Sequence, residues 1–241
     1  MNKLTVKTMA KLILVIIFLP LCLNAQDEKV KTLLGGDKDL RIGAYGAFET
    51  KLSQLDNGLG ILMGGRGGVI INNVFSFGGG GYGLLPTRKL NCPIPGHELE
   101  KNNFWTGGYG GLFLEYINSS NEVLHFTVNT LIGAGGITYV SHSNIINSNE
   151  FRFDHPISVT LVFEPGVTLD LNVTKFFRMG LGISYRYAPN FEFKYTANGV
   201  ENDIVPNTAF NGISINLAFK FGNFTGTIAK NKGNIDTVEK K

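Results

Sequence analysis

A serine beside a histidine is the one arrangement in this 241-residue chain that resembles a catalytic pair. Ser141-His142-Ser143 places a hydroxyl nucleophile next to a base, as ester hydrolysis requires. Adjacent residues do not form a catalytic site unless they meet in space and a third group orients the base. The sequence supplies no evident third group, so it favours a non-enzymatic role and leaves catalysis as an alternative.

A glycine pattern also resembles a cofactor-binding motif. Gly78, Gly80 and Gly83 satisfy the G-x-G-x-x-G spacing of a dinucleotide site. That site needs a following helix whose N-terminus faces the pyrophosphate. Here the chain continues into Leu84-Leu85-Pro86, which does not begin a helix. We therefore predict no cofactor.

The glycines are better explained by strand geometry, because closing a small barrel requires bends and close backbone approach. A second interpretation is a smooth groove that admits an acyl chain or another small ligand. The candidate residues for such a groove are Gly80, Tyr82, Tyr109, Gly110, Gly135 and Tyr139.

Charged residues recur on one face of strands whose other face is apolar. Arg178 and Arg186, for example, alternate with Leu181 and Ile183. Side chains in a strand point alternately to opposite faces, so these charges share the polar face. Five basic and four acidic groups can pair off in a barrel interior, where isolated charges are costly. The predicted lumen charge network consists of Arg41, Glu49, Arg66, Glu115, Glu164, Asp170, Arg178, Arg186 and Lys220.

Eight strands are needed to position these residues, and short and long connections alternate between them. The tight links are Asn72-Asn73, 118–121 and 173–175, and the long ones are 50–57, 86–104, 140–156 and 188–208. This alternation is typical of an eight-stranded antiparallel up-and-down transmembrane β-barrel, an all-β fold. The predicted strands are 40–49, 58–71, 74–85, 105–117, 123–139, 157–172, 176–187 and 209–222.

The character of the polar faces distinguishes this barrel from a soluble one. A lipocalin-like carrier would have a polar exterior and an apolar interior. Here small residues accompany isolated charges of both signs, as expected for a narrow interior filled by side chains. We therefore expect a plugged lumen.

The N-terminus resembles a secretory signal. Three lysines in the first eleven residues precede an apolar run at 12–23, too short to span a membrane as a helix, and cleavage is expected after Ala25. A lipoprotein signal ending at Cys22 is disfavoured because Leu21 precedes it. The predicted organisation is a signal peptide at 1–25, a periplasmic segment at 26–38, the barrel at 39–222 and a disordered polar tail at 223–241.

Charge and cysteine content exclude several functions. The chain has 22 basic and 19 acidic residues, and removal of the signal takes away three lysines, which leaves 19 of each. A neutral chain without a basic cluster predicts no nucleic-acid partner. Only Cys92 remains after cleavage, so neither an internal disulfide nor a cysteine metal site is expected.

Residues 39–222 resemble the small outer-membrane barrels of the OmpA/OmpX type. The segments 64–72 and 171–178 are similar to those of uncharacterised barrel proteins from Gram-negative bacteria. Phe219 and Phe221 resemble the terminal aromatic signal of such barrels, which implies the barrel assembly machinery as a partner. The resemblance implies an outer-membrane location, with long loops extracellular and both termini periplasmic.

Together these observations predict a monomeric outer-membrane barrel in contact with lipid, with a structural or surface-recognition role through its loops. One alternative is a lipid-modifying enzyme similar to a lipid A deacylase. Another is a narrow channel for small solutes. The sequence identifies no extracellular ligand.

Overall fold

A computed structural model describes residues 40–56, 58–87, 103–141, 158–189, 191, 194–197, 200–203 and 206–228. Among these residues there is no helix long and apolar enough to cross a membrane. The strands are β1 Arg41–Leu55, β2 Gly58–Ile71, β3 Phe75–Leu84, β4 Asn103–Ile117, β5 Leu124–Ser141, β6 Ser158–Asn172, β7 Phe177–Arg186, β8 Lys194–Ala197, β9 Val200–Asp203 and β10 Gly212–Ile228.

Eight of these strands close into an antiparallel barrel in the order β1-β10-β7-β6-β5-β4-β3-β2. Each barrel strand pairs with the barrel strands before and after it in the chain, and β1 pairs with β10 to close the cylinder. The strands β8 and β9 form a separate two-stranded hairpin within the long link between β7 and β10. The predicted all-β, eight-stranded, up-and-down fold is therefore confirmed.

The two ends of the barrel differ in their connections. At the turn end, defined by links 72–74, 118–123 and 173–176, Asn72 and Asn73 both adopt positive φ angles of 51° and 61°. Asparagine tolerates this conformation better than most residues, which suits a tight turn. The opposite end, where 187–211 joins β7 to β10, is called the loop end.

Two strands extend about six residues beyond their predicted ends. Residues 50–57 were expected to form a loop, but β1 continues through them until Leu55 pairs with Gly58 of β2. Similarly, β10 extends beyond residue 222 into the predicted polar tail, up to Ile228 opposite Arg41. Polar residues caused both errors, because in a barrel with a charged interior a polar side chain can mark an inward position of a strand. The rest of the predicted tail lies outside the described residues.

Side chains on the two faces follow the predicted alternation. Leu181 and Ile215 point outward and are 60% and 55% exposed, whereas Arg178 and Lys220 point inward and are each 4% exposed. This orientation is the inverse of a soluble barrel, where the interior carries the apolar side chains.

Several inward glycines are required by close contact between strands. A Cβ atom at Gly78 would collide with the carbonyl oxygen of Gly67, and one at Gly133 would collide with that of Gly110. Gly107 adopts a φ angle of +139°, which side-chain-bearing residues rarely populate. The glycine clusters therefore allow the sheet to curve tightly into a small barrel.

Candidate functional site

Nine charged side chains, five basic and four acidic, are buried in the lumen. Fixed charges at such low exposure require ion pairs and hydrogen bonds, because their desolvation is otherwise expensive. The buried set is Glu49, Lys51, Arg66, Glu115, Glu164, Asp170, Arg178, Arg186 and Lys220.

Lys51 and Glu164 form an ion pair across the barrel. The Lys51 Nζ atom lies 2.7 Å from Glu164 Oε1 and donates a longer hydrogen bond of 3.3 Å to the Tyr109 hydroxyl. Ser184 Oγ donates to the same carboxylate oxygen at 2.6 Å. The ammonium also lies 3.5 Å from the centre of the Tyr82 ring, a favourable cation–π geometry.

Arg66 lies between two carboxylates near the middle of the barrel. Its Nη1 atom is 2.6 Å from Glu49 Oε2, and its Nη2 atom is 3.6 Å from Glu115 Oε1. The Tyr82 hydroxyl donates to Glu49 at 3.2 Å. The guanidinium also packs over the Phe113 ring, 4.4 Å from its centre, so both aromatic and ionic contacts fix its position.

Lys220 extends the network toward the turn end. Its Nζ atom is 2.9 Å from Asp170 Oδ2 and 3.5 Å from Glu115 Oε1. Thr127 Oγ1 donates to Asp170 at 2.6 Å, and the Tyr45 hydroxyl donates to Glu115. Glu115 thus connects Lys220 to Arg66, so that these three residues with Glu49 and Asp170 form one chain of ion pairs beside the Lys51–Glu164 pair.

The loop end of the lumen is apolar and is filled by the chain itself. Phe191 and Phe210, both fully buried, come from the link between β7 and β10, and Phe191 stacks on Trp105 at 6.2 Å. Arg186 Nε donates to the Phe210 carbonyl at 2.7 Å, and its Nη2 donates to the Gln54 carbonyl at 3.3 Å. A buried charge therefore fixes this loop-end plug, which consists of Phe191 and Phe210.

A single aromatic side chain, the turn-end stopper Phe224, fills the other mouth. The pairing of β10 with β1 is irregular between Asn223 and Thr227, and Gly226 in this bulge has a φ angle of +70°. Phe224 has the same parity as Lys220 and therefore faces the lumen, 6.1 Å from the Tyr45 ring. The Arg178 guanidinium lies 3.9 Å from the centre of the Phe224 ring.

The structure places eight of the nine predicted network residues in the lumen, and Arg41 is the exception. Its side chain is exposed because it occupies the first position of β1, beside the irregular pairing with β10. Sequence reasoning missed Lys51, since β1 was predicted to end at residue 49. Lys51 has the same parity as Glu49, and continuing the alternation by one step would have found it.

The residues of the predicted glycine-lined groove whose side chains the structure describes do not share one surface. Tyr82 and Tyr109 are buried in the lumen with their rings 5.4 Å apart, and the inward glycines make room for lumen side chains. A Cβ at Gly135 would lie 2.6 Å from Tyr109 Cβ, and one at Gly80 would lie 3.0 Å from Arg66 Cβ. Gly110 follows inward-facing Tyr109 in β4 and therefore faces outward. The Tyr139 side chain lies outside the described part of the chain.

The structure gives little information on the remaining candidates from the sequence, which are the Ser-His-Ser motif and a metal site. His142 and Ser143 of the Ser-His-Ser motif lie outside the described residues. Within the described ranges, no group of three or more His, Cys, Asp or Glu side chains is placed to hold a metal ion.

The fold and its lumen define a closed eight-stranded antiparallel β-barrel with an apolar exterior and an ion-paired interior. No protein-family model and no curated protein matches the sequence.

Solved structures that resemble this chain include outer-membrane proteins. The N-terminal β-barrel domain of OprF from Pseudomonas aeruginosa is 12% identical, with 75% of this chain and 96% of that chain covered and a TM-score of 0.48. Neisserial surface protein A is 11% identical, with coverages of 78% and 99% and a TM-score of 0.46. Ail, the attachment invasion locus protein of Yersinia pestis, is 10% identical, with coverages of 76% and 99% and a TM-score of 0.40. These likenesses concern the fold, and the eight-stranded up-and-down barrel itself is established by the strand order.

Proposed function

We propose that this chain is an integral outer-membrane protein of a Gram-negative bacterium whose barrel is plugged. The apolar exterior supports a lipid environment. Val159, Leu161 and Leu169 of the 15-residue β6 all point outward and are exposed, and a tilted membrane strand needs only about 9 to 11 residues. Each such side chain would be less stable in water than in an apolar environment by roughly 1.5–3 kcal/mol.

Aromatic side chains near both ends of the strands support the same placement. Tyr185 and Tyr187 are exposed near the loop end, and Phe177 and Phe221 stack at 4.8 Å near the turn end. Aromatic girdles at the two membrane interfaces are a recurrent feature of outer-membrane barrels. We place the loop end outside the cell and the turn end, with both chain termini, in the periplasm.

The main support for a plugged barrel is that side chains fill the lumen. Phe191 and Phe210 occupy the loop end, the Glu49–Arg66–Glu115 ion pairs cross the middle, and Phe224 occupies the turn end. An eight-stranded barrel leaves little space beyond its own side chains. The protein therefore acts through its outer surface, as a structural component or by recognition through the loop-end connections.

The proposed partners follow from this placement. Outer-membrane lipid surrounds a monomer, and the barrel assembly machinery inserts it through β10, where Phe221 faces outward. His142 and Ser143, the candidates for the enzymatic alternative, lie outside the described residues. Analysis of lipid A by mass spectrometry in cells with and without the protein tests that alternative directly.

Conductance across a planar lipid bilayer tests the plugged lumen. We expect the purified full chain to insert without producing discrete current steps. The matched variant truncates one residue of each closure, with Phe210→Ala at the loop end and Phe224→Ala at the turn end, and it should also remain silent because Phe191 and the central ion pairs stay in place. Discrete steps from the unmodified protein would overturn the plugged state and favour the narrow channel.

A further inference from the structure

A small cavity lies inside the lumen next to the turn-end stopper. Its volume is about 10 Å³, and it is lined by Tyr45, Ile70, Glu115, Ile117, Asp170, Arg178, Lys220 and Phe224. A cavity of this size holds about one water molecule, provided that polar groups surround it.

Three polar atoms of the residues that line this cavity have unused hydrogen-bonding capacity. Within the described part of the chain, Asp170 Oδ1 and Arg178 Nε have no hydrogen-bond partner, and Glu115 Oε1 has none beyond its longer ion-pair contacts with Arg66 and Lys220. The three side chains are almost completely buried. Buried polar atoms in native proteins nearly always form a hydrogen bond with protein or with ordered water, so we expect a hydrogen-bond partner for each of these atoms.

The charge of the lining selects the kind of partner. Two carboxylates, Glu115 and Asp170, face two cations, Arg178 and Lys220, so the cavity is electrostatically balanced. A metal cation would meet the two basic groups, and an anion would meet the two acidic groups. A neutral molecule that both donates and accepts hydrogen bonds avoids both conflicts.

We propose that this cavity is a binding site for one structural water molecule. The water donates to Glu115 Oε1 and Asp170 Oδ1 and accepts from Arg178 Nε. Three hydrogen bonds are the usual number for a buried water. Phe224, which is 3% exposed, also lines the site.

The water also gives the network a connection that the side chains do not make directly. Arg178 donates to the Ser120 carbonyl and hydroxyl at 3.1 and 3.0 Å and stacks on Phe224. Through the water, Arg178 also joins the Glu115–Lys220–Asp170 group. The stopper and the ion-pair chain are thereby coupled.

X-ray radiolytic labelling of the folded chain in lipid nanodiscs, followed by mass spectrometry, tests this site. Hydroxyl radicals formed from a bound water oxidise the aromatic rings beside it. Tyr45 lines the cavity, whereas Tyr82 and Tyr109 do not, yet all three are similarly buried at 8%, 3% and 4% exposure. We expect Tyr45 to be labelled several-fold faster than the other two. Equal rates for the three tyrosines in the folded protein would overturn the proposal.

A pair of matched variants separates bound water from bulk solvent entering the mouth. Ile117→Met extends a longer side chain into the cavity and should lower Tyr45 labelling to the level of Tyr82. Ile137→Met makes the same change in the loop-end core and should leave Tyr45 labelling unaltered. Persistent rapid labelling in folded Ile117→Met would contradict the water site.

A crystal structure identifies the occupant. We expect a single density peak within hydrogen-bonding distance of the three named atoms. Crystals soaked in rubidium or bromide should show no anomalous signal there. A rubidium or bromide peak in the cavity would replace the water with an ion and refute the assignment.

Discussion

Removal of one charge from the Lys51–Glu164 pair is the strongest test of the lumen network. Glu164→Gln keeps the size of the side chain and an oxygen that can accept from Ser184, but it removes the negative charge 2.7 Å from Lys51 Nζ. The ammonium then stays buried at a position where its nearest ionic partner has become neutral. Lys51→Met produces the opposite defect by leaving Glu164 unpaired.

The expected cost comes from desolvation. Breaking a buried ion pair by removing one partner typically costs about 3–5 kcal/mol, whereas replacing both partners together is often neutral or stabilising. Lys51 keeps its contact with the Tyr82 ring, and Glu164 keeps its bond from Ser184, so we expect each single variant to lose about 3 kcal/mol. The double variant Lys51→Met, Glu164→Gln should recover most of that loss.

Equilibrium urea unfolding in lipid vesicles measures these free energies, and heat-modifiable migration on gels reports the folded fraction. The control pair is Glu122→Gln with Lys175→Met, both at exposed turn positions, where the changes should be small and additive. Additive losses in the lumen double variant would refute the reasoning, because the two side chains would then contribute independently. An unchanged stability of Glu164→Gln alone would show that the pair is not desolvated.

Three further outcomes are expected. Gly78→Ala should destabilise the barrel by at least about 1 kcal/mol in urea unfolding, because its Cβ meets a neighbouring carbonyl, whereas Gly79→Ala has its nearest contact at an ordinary 3.7 Å and should be tolerated. Leu181→Arg, on the outward face, should cost about 2–4 kcal/mol of folding free energy in vesicles, while the same change at exposed Asn121, in a turn, should cost little. Phe224→Ala should lower the unfolding free energy by about 3–5 kcal/mol without opening the lumen to bilayer current, since the loop-end plug remains. Equal effects of the two glycine variants, a neutral Leu181→Arg, or current from Phe224→Ala alone would contradict these expectations.

The topology was predictable because the environment imposes a period of two on every strand. Leu181 and Ile183 alternate with buried glycine and serine along β7, and the pattern repeats around the barrel. The Asn72-Asn73 turn was also recognisable, since positive φ angles favour asparagine. Both features depend on residues that are close in the chain, so they can be recognised from a single sequence.

The detailed site was less predictable because it depends on contacts between distant strands. Lys51 pairs with Glu164, which lies 113 residues away on the other side of the lumen. Alternation predicts that Glu164 faces inward but not which cation it meets, because strand stagger decides that. The turn-end stopper was missed for a different reason: β10 was predicted to end at residue 222, although alternation continued from Lys220 places Phe224 inward.

The charged lumen also explains how the barrel defines its register. A slip of one residue in β4 would move Glu115 into the lipid and Leu114 into the lumen, since neighbouring side chains face opposite ways. If the lumen were apolar, both registers would bury similar surfaces, and the slip would cost little. A charged side chain at the bilayer midplane instead costs about 2–4 kcal/mol for Arg or Lys and less for Asp or Glu, so every inward charge penalises the wrong register. We therefore expect the double variant Lys51→Met, Glu164→Gln to keep its stability but to refold through additional compact species on gels, and a single refolding band identical to that of the unmodified chain would argue against this role.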